Sequence, residues 1–296
     1  MPEVTVLMPA HNAERFIRRS VVSTLRALPE DSELVVGCDG CTDQTISVLD
    51  SIKDVRLRTI VFETNQGVAA TLNKLVDATD SAIVSRMDAD DICLPWRFRY
   101  QLEGLEPNEL QFANVVHYRG QYTVPRPVAP YPIEGSIVPL LLLLENPFAH
   151  PTLTTTRRTL GRLGGYRNVP AEDYDLWVRA ALEDVPIRRR PLATVLYRHH
   201  ESQATTAVDA NRRKSMSREM ASAHRDLCKA VTGRDYGCWS ALRDPSSASA
   251  DEKADLKALC RYLSEQGEFR GRRDTRMLRR AIARVTQHNT VRSRVL

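Results

Sequence analysis

The feature that most restricts the fold of this chain is an alternation, between residues 4 and 84, of short apolar runs with segments of helical periodicity. The apolar runs are Val4–Met8, Leu34–Val36, Ile60–Phe62 and Ala82–Val84. Between them, at 13–28, 43–52 and 67–78, apolar residues recur at helical spacing. Strands and helices in this order are typical of a parallel sheet with helices on both faces, so we predict an α/β fold.

Acidic and amide residues follow each predicted strand. The segments that carry them are PAHN at 9–12, CDGCTD at 38–43, ETNQG at 63–67 and MDADD at 87–91. The carboxyl ends of parallel strands meet at one edge of an open sheet, and ligands bind in the crevice there. These four segments should therefore converge on one site.

The last of these segments holds three carboxylates within four residues, Asp88, Asp90 and Asp91. Such a cluster is electrostatically unfavourable unless a cation or hydrogen-bond donors neutralise it, and a hard divalent cation suits oxygen ligands. The alternative is a capping turn for a helix that begins near Pro95. Taken alone, the cluster leaves both interpretations open.

The rest of the chain follows other patterns. Its prolines make the segment from Glu106 to Pro139 look like an irregular loop. Helical periodicity returns at 136–144 and 173–182, and a strand is predicted at 194–197. Three long helical segments follow, at 211–231, 251–266 and 275–286. We therefore divide the chain into an α/β domain of residues 1–205 and a helical region of residues 206–296.

Six segments occur in an order that carries a family resemblance. They read VTVLMPAHNAERFIRRSVVSTL, CDGCTD, ETNQGVAATLN, RMDADDICLPWRFRYQ, HPTLTTTRRTLGRLGGYRNVPAEDYDLWVRA and YRHHESQAT. Together they make residues 3–205 resemble the family 2 glycosyltransferases. The resemblance implies a GT-A fold, which is a Rossmann-like nucleotide-diphospho-sugar transferase fold, with a C-terminal α-helical appendage in this chain. It also implies inverting transfer of one sugar from a nucleotide-diphosphate sugar to an acceptor hydroxyl. The Asp39 carboxylate could accept the ring N3–H of uridine or thymidine, so we expect a UDP or dTDP sugar, although guanine could also satisfy it.

The resemblance implies a role for each matching residue. Asp88, Asp90 and His200 would hold Mn²⁺ or Mg²⁺, which would stabilise the charge on the departing nucleotide diphosphate. Asp173, in the Glu-Asp motif, matches the catalytic base that takes the proton of the acceptor hydroxyl. The nucleotide would be bound by residues that follow the first four strands: Pro9, Ala10, Asn12, Glu14, Asp39, Asn65, Gly67, Asn73 and Asp88.

Two departures from the family pattern affect these expectations. Cys38 and Cys41 replace an aspartate and a serine of the DDGSTD motif, which removes one carboxylate. A zinc or redox pair is the alternative interpretation of these cysteines, but no second CxxC accompanies them. In addition, no Q-x-x-R-W segment follows the Glu-Asp motif, which argues against a processive synthase.

Other function classes fit less well. A sugar-1-phosphate nucleotidyltransferase would need a glycine-rich basic loop, which MPAHNAER does not provide. A non-catalytic nucleotide-sugar-binding or scaffold protein stays as an alternative, although the DxD motif, the Glu-Asp pair and the terminal histidine argue against decay. Neither G-x-G-x-x-G after the first strand nor G-x-x-x-x-G-K-[ST] is present, which excludes dinucleotide oxidoreductases and P-loop enzymes.

Charge is distributed unevenly along the chain. Residues 1–200 carry 22 basic and 25 acidic side chains, whereas residues 201–296 carry 20 and 12. The segment 275–286 interleaves arginines with apolar residues, so it could lie on an anionic membrane or pack on its own domain or a second subunit. No nucleic-acid motif accompanies the basic region.

Location and acceptor are predicted only coarsely. The start of the chain lacks signal-peptide features, and six cysteines suit the reducing cytosol, so we expect a cytoplasmic protein that could be peripheral to the membrane. The acceptor is expected to be a saccharide, a glycolipid or a small molecule, most naturally in cell-surface polysaccharide or glycolipid synthesis. An oligomer stays open.

Overall fold

A computed structural model describes residues 3–119, 126–127, 130–200, 217–268 and 271–292. Residue contacts divide the chain into two units. The first unit comprises Met1–Ile133, Phe148–Asn168 and Val185–His200, and the second comprises Glu134–Pro147, Val169–Asp184 and Glu201–Leu296. The predicted domain boundary near residue 206 lies outside the described residues and stays a prediction.

Strands dominate the first half of the chain and helices the end. In chain order, the strands are β1 Val4–Ala10, β2 Ser32–Asp39, β3 Leu57–Phe62, β4 Ile83–Arg86, β5 Ile92–Cys93, β6 Leu110–Tyr118, β7 Arg126–Pro127, β8 Thr154–Thr156 and β9 Ile187–Arg198. The α-helices are α1 Ile17–Ala27, α2 Thr45–Asp50, α3 Val68–Asp77, α4 Arg97–Leu102, α5 Ile137–Leu142, α6 Arg157–Arg162, α7 Glu172–Leu182, α8 Arg218–Thr232, α9 Trp239–Arg243, α10 Ala250–Glu268 and α11 Arg272–Arg292.

All these strands belong to the first unit and form one sheet. Its order is β3-β2-β1-β4-β8-β6-β9-β5, and β7 pairs with β6. The four strands predicted first are mutually parallel, as expected. The far half is mixed, because β8 runs antiparallel to both β4 and β6, and β5 runs antiparallel to β9. The predicted α/β fold is therefore confirmed, in a mixed form of the sheet.

Alternation along β1 and β2 places helices on both faces of this sheet. Val6, Met8 and Val36 belong to the same buried cluster as Ile17 and Val21 of α1. On the opposite face Gly37 lies against α3: a Cβ added there would meet Thr71 Cγ2 at 2.9 Å and Leu75 at 3.1 Å. Helices thus cover both faces of these strands, which explains why their sequences are continuously apolar.

The prediction of an irregular segment from Glu106 to Pro139 is wrong at β6. This nine-residue strand lies between β8 and β9 and is buried along most of its length. Polar side chains at buried positions interrupt the apolar pattern by which a buried strand is recognised. These side chains are hydrogen-bonded: Gln111 donates to the Gly104 carbonyl at 2.7 Å, and Asn114 donates to the Pro191 carbonyl at 3.2 Å. Buried amides of this kind are tolerated when they are hydrogen-bonded.

The second unit is helical where it is described. Its aromatic core includes Tyr174 of α7 and Trp239 of α9, whose ring centroids lie 5.5 Å apart. Helix α11 packs on α10 and α5, with Leu278 and Ala281 buried. The apolar stripe of α11 therefore packs within its own unit, which was one of the three alternatives. Among the described residues, no helix is long and apolar enough to cross a membrane.

The loop that follows β2 depends on a glycine. Gly40 has a φ of +61°, and a Cβ there would collide with the backbone of Asn65 in the loop after β3. We expect Gly40→Ala to destabilise the protein by about 1–3 kcal/mol more than Gly164→Ala does. Gly164 is the matched control, because its φ is +71° with nothing within 4 Å of the added Cβ. Urea unfolding measures both variants, and equal losses would contradict the predicted collision.

Candidate active site

The loops after β1 and β2 are locked together by side chains of the predicted nucleotide site. Asn12, with a φ of +47°, accepts a hydrogen bond from the Thr42 N–H at 2.8 Å. Glu14 accepts one from the Gln44 N–H at 2.9 Å, and its own N–H donates to Asp43 at 3.0 Å. Asn12 and Glu14 thereby shape the two loops and fix their spacing.

Asp39, at the end of β2, holds the loop after β3. One carboxylate oxygen accepts from the Gln66 N–H and the other from the Gly67 N–H, both at 2.9 Å. Asn65 also accepts from the Gly67 N–H, at 3.1 Å. An ionised carboxylate has about four acceptor positions, so Asp39 keeps acceptor capacity for a ligand. The structure brings Asp39, Asn65 and Gly67 together as predicted.

Pro9 and Ala10 are the last residues of β1 and stand beside Gly37 and Cys38 of β2. Cys38 lies fully buried in the hydrophobic core. Burial, followed by the neighbouring Cys41 thiol, raises the pKa of the Cys38 thiol to about 12. A carboxylate at this buried position would be costly, so a small apolar thiol suits it.

Asn73 has a different environment from the other predicted nucleotide ligands. Its side-chain amide donates to the Tyr166 carbonyl at 2.8 Å, and its oxygen accepts from the Tyr166 N–H at 2.9 Å. Both ends of the amide are therefore bound to the turn before Arg167. Asn73 holds that turn on α3, and its predicted contact with a nucleotide stays a prediction.

The acidic cluster after β4 forms the most highly charged part of the site. One carboxylate oxygen each from Asp88, Asp90 and Asp91 lie within 4.8 Å of one another. His200 Nε2 lies 2.7 Å from Asp90 Oδ2, and Arg86 forms an ion pair with Asp88 at 3.0 Å. The structure thus brings together Asp88 and Asp90, from the loop after β4, and His200, from the segment after β9.

Asp91 is the member of this cluster that the predicted ligand set omitted. It is 1% exposed, and its Oδ1 accepts the Arg198 N–H at 2.7 Å. Its Oδ2 is buried without a hydrogen-bond partner among the described residues. Burial, followed by repulsion from Asp88 and Asp90, raises the pKa of Asp91 well above its usual range. Three adjacent acids were visible in the sequence, but nothing in it distinguished the buried one.

These oxygen atoms fit a hard divalent cation. A buried carboxylate oxygen with no donor gains most from a cation, and oxygen ligands with one imidazole suit Mn²⁺ or Mg²⁺. The fully buried Arg97 donates to the Arg86 carbonyl at 2.6 Å, and its charge interacts favourably with Asp88 and Asp91. The capping-turn alternative does not account for the Asp90–His200 contact.

Two aromatic side chains connect the acidic cluster with the start of α1. Phe16 lies against His200, with ring centroids 4.7 Å apart, and the Arg198 guanidinium stands 4.8 Å from the ring centroids of both Phe16 and Tyr118. Ser20 donates to the Asp88 carbonyl at 2.6 Å. The interlocked loops and the acidic cluster therefore share one edge of the sheet. Arg198 belongs to the Y-R-x-H segment, but nothing in that pattern indicates its role.

The predicted base belongs to the second unit. Asp173 is the second residue of α7, in a first turn that also contains Glu172 and Asp175. Its Oδ2 accepts a hydrogen bond from the Asn146 side-chain amide at 2.8 Å. The acidic cluster belongs to the first unit, and the catalytic role of Asp173 stays a prediction.

The sequence profile of Glycosyl transferase family 2 matches residues 5–162, which is more than half of the chain. The chain belongs to this family. It is a glycosyltransferase, and this assignment argues against the nucleotidyltransferase and scaffold alternatives.

Individual relatives agree with this assignment. The O-antigen biosynthesis glycosyltransferase WbnJ of Escherichia coli is 28% identical over 218 residues, which cover 69% of this chain and 83% of WbnJ. The E. coli UDP-Glc:alpha-D-GlcNAc-diphosphoundecaprenol beta-1,3-glucosyltransferase WfaP is 24% identical over 259 residues, covering 84% of this chain and 100% of WfaP.

A solved structure supports the fold. Residues 1–349 of S. aureus TarS, crystallised with UDP-GlcNAc, superimpose with a TM-score of 0.61 at 16% identity, covering 89% of this chain and 81% of that TarS fragment. The predicted GT-A fold with C-terminal helices is confirmed.

The buried charge of Asp91 gives a test with a defined sign. Without metal, Asp91→Asn should stabilise the protein at pH 7–8 by about 1–3 kcal/mol, and this gain should shrink towards pH 5. A carboxyl with a raised folded-state pKa stabilises the fold below its unfolded pKa and loses that contribution as the pH rises through the folded value. Urea unfolding in EDTA across this range measures the difference.

Asp54→Asn is the control of opposite sign. The hydrogen bond from Arg56 lowers the pKa of Asp54, so this substitution should not stabilise the protein at any pH in that range. A pH-independent effect of Asp91→Asn would show that repulsion in the cluster is not the cause.

Proposed function

We propose that this glycosyltransferase moves one sugar, with inversion and with the help of Mn²⁺ or Mg²⁺, from a UDP or dTDP sugar to an acceptor hydroxyl. The observation that carries the proposal is the cluster of Asp88, Asp90, Asp91 and His200 beside the interlocked nucleotide loops. Asp90 and His200 would be the main metal ligands, with Asp88 and Asp91 beside them. When bound, the ion supplies Lewis-acid stabilisation of the departing diphosphate.

The proposed chemistry is a single displacement. The acceptor oxygen attacks the anomeric carbon while its proton passes to Asp173, and the bond from that carbon to the diphosphate oxygen breaks. Its electron pair leaves with the nucleoside diphosphate. One base and one direct attack invert the anomeric configuration.

Asp39 supports the preference for uridine or thymidine. Its unused acceptor positions can receive the N3–H of either base, while Pro9 and Ala10 offer backbone groups beside it. The donor named for WfaP is UDP-Glc, and TarS was crystallised with UDP-GlcNAc. We therefore place a UDP sugar first.

For the acceptor we propose a lipid-linked saccharide of cell-surface polysaccharide or glycolipid synthesis. The acceptor in the name of WfaP is such a molecule, a GlcNAc-diphosphoundecaprenol, and WbnJ is named for O-antigen biosynthesis. An acceptor with a polyprenyl tail stays in the membrane, so the enzyme would work at the cytoplasmic membrane face.

The exposed side of α11 suits that location. Arg272, Arg273, Arg276 and Arg280 are exposed and fall within about 100° of the helix circumference. Asp274 is the one acid among the described side chains of α11, and it is half-buried. Because the apolar stripe packs on α10 and α5, we propose that α11 contacts anionic lipid through charge alone, without insertion.

The donor site is tested by thermal unfolding with UDP, dTDP, GDP and CDP, each with and without Mn²⁺. We expect UDP or dTDP to raise the melting temperature, and to raise it more with Mn²⁺, because the ion joins the carboxylates to the diphosphate. Asp90→Ala should lose the Mn²⁺-dependent part and at least about 100-fold in activity.

Asp173→Asn is the companion variant. It should retain the nucleotide and Mn²⁺ response while losing about 100-fold or more in kcat, as expected for a missing base. A wild-type protein that no nucleotide stabilises, with or without metal, would overturn the donor-site proposal.

Membrane contact is tested by vesicle flotation with the triple variant Arg272→Gln, Arg276→Gln and Arg280→Gln. Each basic residue near an anionic surface contributes about 1 kcal/mol, so binding to phosphatidylglycerol vesicles should fall by about 100-fold. The control changes Lys253, Lys257 and Arg261 of α10 to Gln, because these exposed cations have the same helical spacing. Unchanged flotation of the α11 variant, or binding to duplex DNA instead of vesicles, would contradict the proposal.

A further inference from the structure

The segment that follows α5 carries the hydrogen-bond donor of Asp173. Asn146 Nδ2 lies 2.8 Å from Asp173 Oδ2, and both residues belong to the second unit. We propose that Asn146 is a positioning residue, which fixes the orientation of the Asp173 carboxylate through a brace made by the C-terminal helices. This inference rests on the proposed role of Asp173 as base.

Helices α7 and α8 hold the start of this segment. The Tyr174 hydroxyl donates to the Leu142 carbonyl, and His224 Nε2 donates to the Leu143 carbonyl at 3.0 Å. Burial lowers the pKa of His224 to about 4, so the ring is neutral at physiological pH and keeps a single N–H for this bond. Both carbonyls at the end of α5 are thereby given a donor.

Helix α11 holds the segment one residue before Asn146. Arg284 Nε donates to Glu145 Oε2 at 2.9 Å, and its Nη2 donates to the other oxygen of the same carboxylate. A bidentate pair of this kind fixes direction as well as distance. Helices α7, α8 and α11 therefore restrain the segment from Leu142 to Glu145. Asn146 is the next residue in the chain, so its backbone is held in place by the same contacts.

The other side of the contact is restrained by the backbone. Ala171, which precedes α7, has a φ of +112° and a ψ of 54°, an unfavourable conformation for a residue with a Cβ. Its carbonyl accepts the Asp175 N–H at 3.0 Å, so the first turn of α7 begins immediately. Backbone strain of this kind persists only where the surrounding structure imposes it. The conformation of Ala171 therefore fixes the start of α7 and with it the backbone position of Asp173.

The Asn146 amide gives the two carboxylate oxygens of Asp173 different roles. Asn146 occupies Oδ2 of Asp173, which leaves Oδ1 to accept a proton from the acceptor hydroxyl. The amide also disfavours rotation of the carboxylate about its terminal torsion, which is otherwise broad. When the base is held in one orientation, it is aligned with the acceptor hydroxyl in a larger fraction of the bound complexes, and the reaction is faster.

The test compares Asn146→Asp with Asn146→Ala in full-length protein, using the UDP sugar and acceptor on which the wild type turns over. The first substitution keeps the shape but removes the donor and places a second carboxylate against Asp173. The second removes the side chain. We expect kcat to fall about tenfold for Asn146→Ala and further for Asn146→Asp, with the KM for the donor sugar unchanged. A merely structural role gives the reverse order, because the isosteric change preserves packing.

Controls separate this inference from the proposed function. Gln266→Glu on α10 adds the same charge elsewhere in the second unit and should leave kcat unchanged. Urea unfolding identifies any variant that fails to fold, and Asn146→Ala then decides the question alone. If Asp173→Asn is inactive while both Asn146 variants turn over like the wild type, the positioning role is overturned and the base is retained. If Asp173→Asn is fully active, the proposed base itself is wrong.

Discussion

The repulsion among Asp88, Asp90 and Asp91 is the constraint on which much of the first unit depends. Three carboxylates at one strand end repel one another unless the fold compensates their charge. The compensation includes an ion pair from Arg86, an imidazole from the end of β9 and a backbone N–H from Arg198. The N–H belongs to the last residue of β9 and the imidazole lies two residues further on, so a segment added late in the chain stabilises the charge created early.

The loops that we propose to bind the nucleotide are preorganised by their own side chains. Asn12, Glu14 and Asp39 use their side chains to bind the backbone N–H groups of neighbouring loops, which reduces the freedom of those loops before any ligand arrives. A nucleotide that enters such loops loses less binding energy to ordering them. The polar residues of a site can thus act on the protein as much as on its ligand.

Much of this arrangement could be predicted from the sequence, because local pattern governs the first half. Strands β1 to β4 and their helices follow from periodicity, whereas the proximity of Asp90 and His200 is implied by the family resemblance. β6 could not be recognised, because its polar residues are satisfied by contacts distant in sequence, such as Asn114 with Pro191. The burial of Asp91 and the attachment of Asn73 to Tyr166 depend in the same way on tertiary packing, for which the chain carries no local sign.

The position of β9 has a consequence for the order in which the first unit can form during synthesis. β9 lies between β6 and β5, although β5 ends at Cys93 and β9 begins at Ile187. Until residues 187–198 leave the ribosome, β6 and β5 each lack this partner, and an unpaired strand edge invites association with other chains. β9 and the histidine that contacts Asp90 lie close together in the sequence, so a nascent chain that stops before residue 187 has neither the complete sheet nor this histidine.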